Sequence, residues 1–109
     1  MILHTPELGG NVPINWLVHF IHDPAGTICR IRDADRLGPD GPIWIARSYL
    51  HPNDQPNRAI GRKVAFARTI GSLKPAKVAP DAMVMDYGKD VRRALWAALW
   101  RVDKKVCSV

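Results

Sequence analysis

Arginine, lysine and tryptophan, rather than any set of acids or nucleophiles, are the residues whose types and spacing suggest chemistry in this chain. Within NRAIGRKVAFARTIG, residues 57–71, Arg58 and Arg62 stand one helical turn apart, Lys63 and Arg68 flank them, and no acid occurs. Guanidinium groups fork onto phosphate oxygens, and without intrahelical acids to neutralise them these side chains suit an anionic partner. The competing reading is an ordinary solvated helix face. A second group, Arg92, Arg93, Trp96 and Trp100, recurs at helical spacing, with Arg101, Lys104 and Lys105 following. Neighbouring indoles can stack on a base or anchor a protein partner. In so small a domain the favoured reading is that they widen the core contact of a terminal helix.

The remaining polar clusters point away from catalysis. His19, His22 and Asp23 could be drawn as a metal or nuclease site, joined by His4 or by His51 and Asp54. Residues three apart on a strand face opposite sides, so His19 and His22 cannot share one ion without a bulge, and surface or turn histidines are expected. Gly61-Arg62-Lys63 lacks the preceding glycines of a phosphate loop and lies inside a helical pattern. The expectation is a non-enzymatic protein with no cofactor and no metal.

These side chains need elements to hold them. Ile60, Val64, Ala67 and Ile70 repeat at the spacing of one helix face, with Arg58, Arg62, Ala65 and Thr69 nearly opposite, which predicts a helix from about Asn57 with a packed side and a wet side. Gly71 is placed to cap it in the left-handed conformation. In the last helix, KDVRRALWAALWRVDKK, the stripe Val91, Ala94, Leu95, Ala98 and Val102, with Leu99 beside it, reads as core. Upstream, residues 16–22 and 27–33 flank the turn-forming Asp23-Pro24-Ala25-Gly26, and residues 43–50 alternate as a third strand. His51 to Pro56 suits a helix entrance, residues 72–80 a proline-stiffened linker, and residues 81–85 a short helical turn. Strands followed by helices, without alternation, predict an α+β fold: a three-stranded antiparallel meander followed by two helices packed on one face. Residues 1–15, with Pro6, Gly9, Gly10 and Pro13, read as an extended lead, and residues 16–109 as a single domain with its sheet in 16–50 and its helical layer in 57–105.

Charge is divided along the same line. Of the net +6, residues 1–40 hold three arginines against five acids, whereas residues 41–109 hold thirteen basic residues against five acids. The helical half therefore carries the positive field, which draws phosphate backbones, anionic lipid or acidic protein without choosing among them. Cys29 and Cys107 are far apart and not arranged as a disulfide framework. No signal-peptide pattern and no long apolar run occur, which predicts a soluble cytoplasmic protein without a membrane partner.

The order of a hairpin, HPNDQPNRAIGRKVAFARTIG and RRALWAALW resembles small accessory proteins of unknown function encoded by phages and prophages, over about residues 27–102. In those a polar loop leads into a Gly-Arg-Lys-like helix, and an Arg-Arg-Ala-Leu-Trp-like helix follows. The resemblance implies a bacterial host cell and transfers no active site. The expected function is binding of nucleic acid, or of a nucleic-acid-handling host complex, through the basic helical layer. The alternative is a protein-binding inhibitor of a host defence nuclease complex, anti-CRISPR-like in action.

Overall fold

The computed structural model describes residues 1–8, 12–50, 57–71 and 89–107. The elements follow the order β1 (Ile2–His4), β2 (Asn15–Asp23), β3 (Gly26–Asp33), β4 (Ile43–Tyr49), α1 (Arg58–Gly71), α2 (Lys89–Val102) and α3 (Lys104–Cys107). The four strands form one antiparallel sheet in sequence order. The expected meander thus has a fourth strand, taken from the stretch that reads as an extended lead, and the described helices number three rather than two. Three residues are too few to show a period of two, so β1 is recognisable only by what it pairs with. Leu3 lies opposite Trp16 and is buried, and Thr5 ties the strand down by donating its N–H to the Ile14 carbonyl at 2.9 Å. The hydroxyl of Thr5 in turn accepts from Trp16 Nε1 at 3.0 Å, satisfying a buried indole.

Alternation sorts the sheet as its sequence implies. Trp16 and Val18, Cys29 and Ile31, and Trp44 face the core, with the Trp16 and Trp44 rings 5.5 Å apart. The other side stays wet, as an antiparallel sheet allows. The hairpin between β2 and β3 needs both of its special residues. Asp23 Oδ1 accepts the Ala25 N–H at 2.9 Å, and Gly26 adopts φ 144° where a Cβ would run into the Ser48 carbonyl.

Both long helices pack on the core face of the sheet, α1 over β3 and β4 and α2 toward β1. For α2 the buried residues are Val91, Leu95, Ala98 and Leu99, so the expected stripe holds except at Ala94, which is half-buried, and at Val102, which is exposed where the helix ends. For α1 the expected face is wrong except at Ile70. Ala65, Phe66, Thr69 and Ile70 are buried, whereas Ile60 is exposed, Val64 half-buried and Ala67 exposed. The reason is steric. Gly61, Ala65 and Thr69 recur every fourth residue as a row of small side chains, so the helix axis can approach the sheet closely. A Cβ on Gly61 would collide with Thr27 Oγ1, and Thr69 donates its hydroxyl to the Ala65 carbonyl at 2.7 Å. Phe66 and Ile70 then fill the space beside that row, each contributing about 1.5–3 kcal/mol of burial.

The ends of α1 differ from expectation on one side only. The helix begins where expected, after Asn57, whose Oδ1 caps it by accepting the Ile60 N–H at 3.1 Å. Gly71 is the last helical residue and takes no positive φ, so it is not a left-handed cap. The predicted helix entrance at 51–56, linker at 72–80 and short turn at 81–85 lie outside the described residues.

Candidate functional site

The arginines of the proposed basic layer do not act as one surface, because the packing of α1 turns them to different tasks. Arg62 points toward the junction of α2 and α3, where its Nε donates to Asp103 Oδ2 at 2.8 Å and its Nη2 to Oδ1 at 3.3 Å. Both side chains are largely buried, with 17% and 10% exposed. Asp103 also accepts the Val106 N–H at 3.2 Å, so one carboxylate clamps α1 and caps α3. Placing Arg62 on a wet face is therefore corrected: its guanidinium is a structural clasp. Arg68 is exposed but donates Nη1 to the Arg47 carbonyl of β4 at 2.9 Å, occupying a backbone acceptor on an edge strand. Lys63 is half-buried one turn before Phe66. Arg58 is exposed at the start of α1, beside the β2–β3 turn.

On α2 the candidate residues do converge. Arg92, Trp96 and Trp100 follow at four-residue intervals along one side, and Arg93 lies three residues before Trp96 and seven before Trp100. Trp96 is half-buried and meets Phe66 edge-on, with ring centroids 5.0 Å apart at 74°. Trp100 leans on Trp96 at 5.8 Å and 46°, and is 47% exposed. The two indoles thus answer the question of core or surface separately: Trp96 packs on the core, and Trp100 is shown to solvent. Phe66, Trp96 and Trp100 make an aromatic ladder from the interior outward, and Arg92 and Arg93 stand one turn from its middle rung, Trp96. Sequence periodicity missed the lowest rung, because Phe66 lies off the stripe Ile60–Val64–Ala67. Its four-residue offset from Ile70 was the available signal.

The histidines lie elsewhere and apart. His19 meets Arg30 on the outer side of the sheet, its Nδ1 3.5 Å from Nη2, whereas His22 Nδ1 lies 2.9 Å from the hydroxyl of Thr27, a buried residue. Burial holds the His22 imidazole below its ordinary pKa, and the charges of Arg58 and Arg62 add to the effect. Asp23 is held below the usual carboxylate range by hydrogen bonding from Arg47, whose Nη2 lies 2.7 Å from Oδ2. Burial pushes the thiol of Cys29 up to about 12, so this free cysteine is a core residue rather than a nucleophile. Among the described residues no group of three His, Cys, Asp or Glu side chains is placed to hold a metal ion, and no helix is long and apolar enough to cross a membrane.

No family model matches this chain, and no curated protein or solved structure matches it either.

Proposed function

We propose that the protein binds nucleic acid, or a host complex that handles nucleic acid, through the outer side of α2, as a non-enzymatic accessory factor of a phage or other mobile element acting in the bacterial cytoplasm. The observation that carries the reading is Trp100: a large indole, 47% exposed and backed by Trp96 and Phe66, with Arg92 and Arg93 two turns earlier on the same helix. An exposed indole supported from behind gives a rigid stacking platform at little entropic cost, and neighbouring guanidinium groups supply phosphate contacts. Such a pairing favours unpaired bases over duplex, because a base must present its face to the ring. The basic helical half steers the encounter.

The direct test is binding to single-stranded and duplex oligonucleotides across a salt series. Single strands are expected to bind more tightly, with affinity falling steeply as salt rises. Trp100→Ala is expected to remove the preference, and Arg93→Glu the affinity, with the melting temperature retained in both. Absence of binding at low salt would defeat this reading. The same exposed indole supports a second reading, a protein anchor that inhibits a host defence nuclease. Capture of a nuclease from nuclease-treated bacterial lysate, lost in Trp100→Ala, would favour it.

A further inference from the structure

Helix α1 has a second apolar stripe that the core does not use. Ile60 and Val64, together with Leu50 and Pro24, wall a cleft of about 800 Å³ between the β2–β3 turn, the end of β4 and the first turns of α1. That volume lies within the range of small-molecule sites, roughly 300–1,000 Å³. The cleft also has an ordered polar end. Thr27 and Ser48 are buried there, the Ser48 hydroxyl accepts the Thr27 N–H at 3.1 Å, and the Thr27 hydroxyl lies 2.9 Å from His22 Nδ1. With the Thr27 hydroxyl donating to Nδ1, His22 keeps an Nε2–H as a donor.

Charge selects the kind of ligand. Arg58 borders the cleft as a cation, and the first turn of α1 contains no acid. Among the described residues the carboxylate that lines it, Asp23, is committed to Arg47 at 2.7 Å. Burial, and then the charges of Arg58 and Arg62, hold the imidazole of His22 toward its neutral form. Among the described residues the cleft presents one guanidinium with no carboxylate bound to it plus neutral donors, which suits a single negative charge better than a phosphate dianion. We propose that this cleft binds a small organic carboxylate, its head group at Arg58 and His22 and its apolar body between Ile60, Val64 and Leu50. The site is separate from the Trp100 ladder and does not depend on it.

Octanoate is a suitable probe, with 1-octanol and inorganic phosphate as controls, each titrated into the full chain and followed by amide chemical shifts. Saturable shifts at Gly26, Thr27 and Gly61 are expected with octanoate, and binding of 1-octanol at least about tenfold weaker, since a charge-assisted hydrogen bond is lost. Arg58→Gln is expected to weaken octanoate by about tenfold and leave 1-octanol unchanged. Ile60→Glu, which alters an exposed side chain and places a like charge in the cleft, should abolish octanoate binding with the amide spectrum otherwise retained. Three results would each overturn the proposal: no saturable shifts around the cleft, equal binding of 1-octanol and octanoate in both parent and Arg58→Gln, or the same shifts from phosphate alone.

Discussion

Helices α1 and α2 have equal length and comparable amphipathic patterning, yet one buries the face its pattern indicates and the other does not. In α2 the large aliphatic residues all fall on one side with Ala98 among them, so Val91, Leu95, Ala98 and Leu99 have a single way to pack. In α1 they fall on different sides. Ile60 and Val64 form one apolar stripe, Phe66 and Ile70 another, and the row Gly61, Ala65 and Thr69 decides between them by letting the backbone close on β3 and β4. Helix packing is thus chosen by the shape a face presents as well as by its hydrophobicity. The unused stripe is left to wall the cleft, and the rotation carries Arg62 inward to Asp103.

The largest expected effect separates the two stripes of α1. Phe66→Ala should destabilise by about 3–5 kcal/mol, since it empties a fully buried position and withdraws support from Trp96. Val64→Ala should cost less than about 1 kcal/mol, because that side chain is half-exposed at the cleft. Denaturant melts of the two variants compare them directly; equal losses would restore the stripe read from periodicity.

Next in size is the contrast between arginines. Arg62→Glu sets two carboxylates against each other at a largely buried site and should cost about 1–3 kcal/mol, after allowance for partial solvent screening. Arg93→Glu, on the exposed side of α2, should stay within about 0.5 kcal/mol. A double-mutant cycle with Asp103→Ala isolates the pairing from the capping of α3.

A smaller effect reads the same end of α1 through pH. Folding lowers the pKa of His22, so the unfolded chain binds more protons as pH falls through the ordinary imidazole range. Stability should therefore be fully present above that range and decline as pH drops toward the lower folded value. Asp23, also depressed, adds a further loss at still lower pH as its carboxylate protonates and releases Arg47. His22→Gln should flatten the first decline and leave the second. Urea midpoints measured across the acid range would show it, and an unchanged profile would mean that His22 is not perturbed.

Smallest is Gly71→Ala. Because Gly71 takes an ordinary helical conformation with open space where a Cβ would stand, alanine should be neutral or stabilising by up to about 1 kcal/mol. A loss of stability would restore the left-handed cap expected from its position.

Local chemistry was sufficient for much of this molecule. Alternation in residues 27–33 and 43–49, the turn at Asp23–Gly26 and the Asn57 cap each depend on neighbours a few residues away, and they are legible in the chain itself. The same holds for the α2 core stripe and for the positive charge of the helical half. Other features required the assembled fold. β1 exists because β2 offers a free edge to three residues with no period of their own. The face of α1 was settled by a row of small residues whose value appears only against a sheet. Arg62 and Asp103 are 41 residues apart, and Phe66 and Trp96 lie on different helices, so neither the clasp nor the ladder has a local signal. Periodicity reports that a helix has an apolar side; only the opposing surface determines which side is buried, which charges are paired, and which indole is left facing water.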